Sequence, residues 1–148
     1  MKILHCVEHY PPFHGGMAEV ARQLGQGLRA LGCEIHVATT THPDRSGDLS
    51  HEGTATNGGQ VFGFALSGNL DAGIRGEEAE KERYRSLVSE GDYDIVTCFA
   101  GRQWATDLLL DILPRIKARK VFVPTGFTGM HPEEPYYRRA RASSRLRG

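Results

Sequence analysis

The sequence predicts an α/β domain built on a mainly parallel sheet. Two observations lead to this class: short apolar runs alternate along the chain with amphipathic helical segments, and proline- and glycine-rich loops separate them. Strands that alternate with helices pair in parallel and bring helices to both faces of the sheet. A chain of 148 residues is long enough for one such core. We therefore expect one three-layer domain whose five strands have the order 3-2-1-4-5.

The first forty residues form one strand–loop–helix–strand unit. Residues 2–7 (KILHCV) predict the first strand, residues 8–16 (EHYPPFHGG) a loop, and residues 34–40 (EIHVATT) the second strand. Between the loop and the second strand, apolar residues recur at spacings of three and four, which predicts a helix with one buried stripe. The stripe comprises Met17, Val20, Ala21, Leu24, Leu28 and Leu31.

Three glycines bear on this helix. Gly32 lies just beyond the last apolar residue, where a left-handed glycine commonly ends a helix. Gly25 and Gly27 lie inside the helix, where each costs about 1 kcal/mol relative to alanine. We expect these two small residues to let the helix pack closely against the sheet rather than to contact a ligand.

The rest of the chain continues the alternation. Residues 41–60 are polar and predict a long loop, and Pro114 disturbs the end of the last helix. The further predicted strands are 61–66, 94–99 and 120–123, and the further predicted helices are 76–91 and 102–113. We assign residues 1–135 to the domain and residues 136–148, with five arginines and no acid, to a basic C-terminal tail.

Composition excludes several functional classes. Lysine plus arginine equals aspartate plus glutamate, 18 against 18, so the chain has no net charge to attract nucleic acid. The three cysteines lack the spacing of a zinc site or a disulfide framework, which fits a reducing cytoplasm. The apolar run of residues 3–7 is too short for a signal peptide, and no apolar segment approaches the ~20 residues of a membrane helix. We expect a cytoplasmic protein without a bound metal.

The carboxyl ends of strands 1 and 4 are the expected position of a ligand site. In the predicted order these strands are neighbours whose chains leave toward opposite sides, and open α/β sheets bind ligands at such a point. The crevice is then bordered by residues 8–16, residues 100–103 and the loop from Pro124 to Met130. The sequence has no G-x-G-x-x-G fingerprint, which argues against a dinucleotide cofactor.

The string PPFHGGMAEVARQLGQGLRALGCEIHVAT resembles the opening of the family 4 glycosyltransferases, which are retaining enzymes with two facing Rossmann-like domains, the GT-B fold. The resemblance spans roughly residues 1–130, and its distinctive part is the first forty. Cys33 stands where the family usually has a histidine. The motif positions are Pro11-Pro12, Gly15-Gly16, Leu28 to Gly32, and Ile35 to Thr39.

The resemblance implies that this chain is an N-terminal, acceptor-side domain, and that the donor-binding domain is absent from it. Such an enzyme moves a sugar from a nucleotide sugar to an acceptor, here a sugar or a lipid-linked molecule, and it needs no metal or other cofactor. The donor phosphates would meet Gly15 and Gly16, because amides at a helix N-terminus carry partial positive charge. Many relatives have a histidine after strand 5, where this chain has Pro124 to Phe127, so we assign no catalytic residue.

Seven residues are candidates for lining the cleft or contacting the acceptor: His9, His14, Glu19, Gly101, Arg102, Thr125 and Gly126. Several have a structural alternative. The two histidines are also typical of surface loops, Glu19 also suits the positive end of a helix dipole, and Arg102 also suits a solvated first turn. The basic tail offers either weak contact with an anionic membrane surface or a frayed, solvated terminus.

Two other functions stay open. The first is a non-catalytic Rossmann-like binding module that has the fold without the activity. The second is an ordinary nucleotide-binding Rossmann enzyme, which would bind NAD or a nucleotide without another domain. Transfer in the presence of a donor-binding domain distinguishes the glycosyltransferase from both.

Overall fold

The computed structural model describes residues 1–44 and 59–125. In chain order the elements are β1 (Lys2–Cys6), α1 (Gly16–Ala30), β2 (Glu34–Thr40), β3 (Val61–Phe64), β4 (Ser67–Asn69), β5 (Gly73–Arg75), α2 (Glu78–Glu90), β6 (Ile95–Phe99), α3 (Trp104–Asp107), a 3₁₀ helix (Leu110–Arg115) and β7 (Arg119–Val123). Most of the predicted loop 41–60 lies outside the described residues, as do residues 126–130 and the basic tail 136–148.

A five-stranded sheet in the order β3-β2-β1-β6-β7 confirms the predicted α/β class, and all its pairings are parallel. The order differs slightly from the expected 3-2-1-4-5, because an antiparallel hairpin, β4–β5, stands between β3 and α2 and takes two numbers. Its strands have three residues each, contain glycine and lack apolar alternation. The sequence pattern therefore does not reveal the hairpin.

Helices cover both faces of the sheet, as a Rossmann-like three-layer domain requires. On one face, α1 packs over a core that includes Ile3 and Ile35. On the other face, α2, α3 and the 3₁₀ helix enclose a second core around Tyr84 and Trp104. The Trp104 indole donates its Nε1–H to Thr40 Oγ1 at 2.9 Å, so this side chain is a core residue and not a sugar-stacking platform.

The predicted apolar stripe of α1 is wrong at three positions. Val20, Leu24 and Leu31 are exposed, Leu31 by 81%. The buried residues of the helix are all small, because small side chains let a helix approach a sheet closely. They are Ala18, Ala21 and Gly25.

Gly32 ends α1 as predicted. It has a left-handed φ of 87°, and its N–H donates to the Arg29 carbonyl at 2.9 Å. The N–H of Cys33 donates to the Leu28 carbonyl at 3.1 Å. This pair of bonds is the Schellman closure, which supplies partners to the last carbonyls of a helix.

The single helix predicted for residues 102–113 is also wrong. The chain forms only four residues of α-helix, α3, and then the separate 3₁₀ helix, which contains Pro114. Proline lacks the N–H that an α-helix needs and its ring clashes with the carbonyl four residues earlier. The tighter 3₁₀ turn avoids this clash and leaves Leu110 and Leu113 partly exposed.

Replacing Gly25 tests the close approach of α1. A Cβ atom there would lie 3.5 Å from Ile35 Cγ2 and 3.7 Å from His5 Cδ2, which are ordinary contact distances. We expect Gly25→Ala to raise the free energy of unfolding by about 0.5–1 kcal/mol, because alanine favours the helix. Gly25→Leu should lower it by about 1–3 kcal/mol through overpacking. Urea denaturation measures both, and a destabilising Gly25→Ala would contradict the packing described.

His5 is an unusual core residue. Its side chain is fully buried on β1 and meets Phe99 edge to face, with ring centroids 5.2 Å apart. Neither ring nitrogen has a hydrogen-bond partner within the described part of the chain. Burial, helped by the charge of Arg29, lowers the pKa of His5 from 6.5 to about 4. The folded protein therefore holds this imidazole neutral.

This depressed pKa makes stability depend on pH. As the pH falls from 6.5 toward 4, the unfolded chain takes up a proton at His5 and the folded chain does not, so unfolding becomes easier. We expect the free energy of unfolding to fall by about 2 kcal/mol between pH 7 and pH 5 through this group. Urea denaturation at both pH values should show a smaller fall for His5→Leu. Equal falls for the two proteins would contradict the assignment.

Candidate functional site

The candidate site lies at the carboxyl edge of β1 and β6, where the two chains leave the sheet in different directions. Thr40 N–H and Thr39 Oγ1 both donate to the Glu8 carbonyl at 3.0 Å. The Glu8 N–H donates to Gln103 Oε1, also at 3.0 Å. The start of the 8–16 loop is thus bonded to β2 on one side and to the 100–103 loop on the other, so the two loops are neighbours at this edge of the sheet.

Gln103 organises the 100–103 loop. Its side chain is 2% exposed, and its Nε2 donates to the Ala100 carbonyl at 3.4 Å. The Thr106 hydroxyl donates to the same carbonyl at 2.6 Å. Sequence reasoning missed Gln103, because glutamine after a strand carries no motif and its partner Glu8 is 95 residues away.

Two residues of this loop have left-handed backbones although neither is glycine. The φ angles are 58° at Ala100 and 59° at Arg102. Each such residue costs about 1–3 kcal/mol and persists only where its surroundings hold it. Here the Ala100 N–H donates to the Val123 carbonyl at 2.9 Å, in addition to the bonds at its own carbonyl. Strain of this kind clusters at functional sites, which supports the position of the crevice.

Two carboxyl groups in the crevice have raised pKa values. Asp107 is 5% exposed, and burial raises its pKa although the N–H groups of Leu70 and Arg102 donate to it. Burial also raises the pKa of half-buried Glu8, and the charge of Asp107 adds to this effect. Perturbed carboxyls in a crevice are typical of functional sites. Neither residue was predicted from the sequence.

The β4–β5 hairpin covers this edge of the crevice. Its turn brings Leu70 N–H to 2.9 Å from Asp107 Oδ2, and it brings Asp71 Oδ2 to 3.5 Å from Arg102 Nε. Asn69 Oδ1 accepts bonds from the backbone N–H groups of Asp71 and Ala72, at 3.0 and 2.9 Å, and so fixes the shape of the turn. The predicted residue Arg102 therefore lies in the crevice, held in an ion pair, with its side chain 40% exposed.

The predicted phosphate-binding glycines lie at the start of α1. Gly15 is the N-cap, with φ 157° and ψ 155°, a backbone region that is essentially restricted to glycine. No side chain caps the helix. Both Gly15 and Gly16 are exposed, and a Cβ atom at either position would meet no atom within 4 Å. The backbone of the first helical turn is therefore open to a ligand.

The other predicted residues have different surroundings. His9 and His14 are exposed, and the His9 ring lies 4.6 Å from that of Phe13, which in turn contacts His42 at 4.7 Å. Glu19 is exposed and bonded within its own helix. Hydrogen bonds from Arg22 and then Gln23 lower the pKa of Glu19 to about 2.

These bonds give Glu19 a role inside α1, at the end of the helix that favours negative charge. Thr125 is exposed at the end of the second described range, and Gly126 lies outside the described residues. Of the predicted residues, Gly101 and Arg102 belong to the 100–103 loop, whereas His9 packs within the 8–16 loop against Phe13.

A cavity of about 290 Å³ adjoins the crevice between β6, β7 and the 3₁₀ helix. Its walls are mostly apolar, and Gly101 and Asp107 belong to both the cavity and the crevice. The apolar walls include Val96, Leu109, Leu113 and Phe122, with Cys98 between them.

Residues 1–44 and 59–125 contain no group of three metal-ligating side chains, and none of their helices has the length and apolar character needed to cross a membrane. No model of a known protein family matches the sequence, and a search of curated proteins gives no significant match.

Replacing Asp107 tests whether its carboxylate organises the crevice. We expect Asp107→Asn to lower the free energy of unfolding by about 1–3 kcal/mol, because an amide NH₂ cannot accept the backbone N–H bonds. Asp111→Asn, an exposed position nearby, is the matched control and should change it by less than about 0.5 kcal/mol. Thermal or urea unfolding measures both, and equal stabilities for the two variants would be the opposing result.

Proposed function

We propose that this chain is the acceptor-side, N-terminal domain of a retaining glycosyltransferase. It would take a sugar from a nucleotide-sugar donor and pass it to a hydroxyl of a sugar or lipid-linked acceptor. A second domain would hold the rest of the donor across the crevice. The proposal joins the sequence resemblance of residues 1–40 to the geometry of the crevice.

One observation carries the proposal: the open backbone at Gly15 and Gly16. The two glycines begin a helix of 15 residues at the carboxyl edge of the sheet, and no side chain shields them. Amides at a helix N-terminus attract anions, and a diphosphate needs backbone that it can approach closely. This combination suits the diphosphate of a nucleotide sugar.

The acceptor would lie deeper in the crevice. Carboxyl groups such as Glu8 and Asp107 accept hydrogen bonds from sugar hydroxyls. The exposed His9 ring, tilted 47° against Phe13, offers a flat surface of the kind that sugars contact. Glu8 and His9 belong to the same loop as the two glycines, so donor and acceptor would meet beside this loop.

In this reaction the chain would position the substrates and stabilise the charge that develops during transfer. Retaining transfer passes through an oxocarbenium-like state as the diphosphate leaves. The helix N-terminus would stabilise the negative charge that develops on the departing diphosphate, with Arg102 as a second positive group nearby. No residue of the chain is assigned as nucleophile or general base.

A methyl group at Gly16 tests the diphosphate site. We expect Gly16→Ala to weaken binding of UDP or GDP about tenfold, because the methyl blocks close approach to the amides. Its stability should be unchanged or slightly higher, since position 16 has ordinary helical space. Amide chemical shifts during titration measure the affinity and show whether residues 15–18 respond.

Gly27→Ala is the matched control, because Gly27 lies on the same helix in open space but two turns or more from the crevice. It should leave UDP or GDP affinity unchanged. Shifts confined to other residues, or equal affinities for both variants, would contradict the site.

Activity requires a second experiment with the donor-binding domain of a family 4 glycosyltransferase, fused to this chain or added to it. Transfer from a panel of nucleotide sugars supports the enzyme. Diphosphate binding without any transfer would favour the non-catalytic module, and tight NAD binding by this chain would favour the ordinary Rossmann enzyme.

A further inference from the structure

Cys6 and Cys98 are partners across the β1–β6 pair. They stand opposite each other in the parallel register, and their side chains belong to the same face of the sheet. Neighbouring strands lie about 4.8 Å apart, which is within the range of Cα separations that a disulfide spans. Each thiol shifts the pKa of the other, so the two side chains are close neighbours.

The two thiols differ in access. Cys6 is completely buried, next to the Tyr84 hydroxyl. Cys98 is partly exposed and lines the cavity of about 290 Å³ beside β7. The third cysteine, Cys33, is buried in the core on the opposite face of the sheet. A small reagent therefore reaches Cys98 first, and Cys6 is the thiol that can follow.

The pKa values of the two thiols also differ, and this difference again favours reaction at Cys98. Burial raises the pKa of the Cys6 thiol, whereas the hydrogen bond from Cys6 lowers the pKa of Cys98. The thiolate is the nucleophilic form of cysteine. Cys98 is thus the more reactive member of the pair.

We propose that Cys98 is an oxidation site for hydroperoxides that enter through the apolar cavity, and that Cys6 converts the oxidised Cys98 to a reversible disulfide. This inference is independent of the diphosphate site, because it uses neither Gly15 nor Gly16.

The chemistry proceeds in two balanced steps. The Cys98 thiolate attacks the terminal oxygen of the hydroperoxide, the O–O bond breaks, and the departing oxyanion takes the thiol proton to leave as water or an alcohol. Cys6 sulfur then attacks the sulfur of the resulting sulfenic acid, the S–O bond breaks, and hydroxide leaves as water with the Cys6 proton. The peroxide is reduced by two electrons, and the two thiols are oxidised to one disulfide.

Mass spectrometry of the whole chain tests the proposal. The reduced protein is treated with hydrogen peroxide and mapped without reduction. We expect loss of two hydrogen atoms and a single crosslink between Cys6 and Cys98, both reversed by dithiothreitol. Oxidation of Cys98 to sulfinic acid without a crosslink, or oxidation of Cys33 at the same rate, would overturn the inference. This measurement on the unaltered chain requires no variant to fold.

Three variants test the roles of the two cysteines and of the cavity. Cys6→Ser should stop the reaction at a Cys98 sulfenic acid that dimedone traps, whereas Cys33→Ser, the matched control, should still form the disulfide. Leu110→Trp places a bulky ring at a partly exposed wall of the cavity and should slow the oxidation about fivefold or more, since thiol reactivity follows access. An unchanged rate in Leu110→Trp would overturn the cavity as the route of entry.

Discussion

The parallel pairing of β1 with β2 on one side and β6 on the other is the constraint on which the rest of the molecule depends. It buries β1 at the centre of the sheet and forces the two following chain segments apart at the same edge. The unpaired backbone at that edge still needs hydrogen-bond partners. The Thr39 side chain, the Thr40 N–H and the Gln103 side chain supply them at Glu8, so the bonds that join the two loops also complete this edge of the sheet.

Small residues of α1 determine how closely this helix packs against the sheet. Ala18, Ala21 and Gly25 bring α1 close over β1 and β2, with His5 beneath Gly25. The close contact buries the imidazole completely, which explains why the ring is neutral and why its protonation opposes folding. The same approach fixes where α1 begins, and therefore where Gly15 and Gly16 stand relative to the crevice.

The sequence predicted the elements that are marked by a continuous apolar run or by a local helix cap. The strands at residues 2–7, 34–40 and 94–99 are apolar runs buried on both faces, and Gly32 ends α1 through a local cap. The sequence did not predict which face of α1 is buried. Apolar periodicity emphasises large residues, whereas the residues of α1 that pack against the sheet are small. The sequence pattern also failed for the single helix predicted at residues 102–113, although Pro114 was an available signal against an α-helix at its end.

The sequence predicted the two loops that border the candidate site, but it did not predict the hydrogen bonds that hold them together. Glu8, Gln103 and Asp107 acquire their roles only through partners distant in the chain, 95 residues apart for the Glu8–Gln103 bond and 37 for the Leu70–Asp107 bond. No local pattern encodes such a meeting. The hairpin that covers Asp107 was missed for the same reason, since glycine-rich segments of three residues carry no strand periodicity.

The left-handed backbones of Ala100 and Arg102 have a consequence for motion. Conformational cost concentrated in one short loop lowers the free energy needed to open that loop, while the central strands keep the full protection of the sheet. The 100–103 loop is therefore easier to rearrange than the central strands. Adaptation there leaves the scaffold beneath it intact.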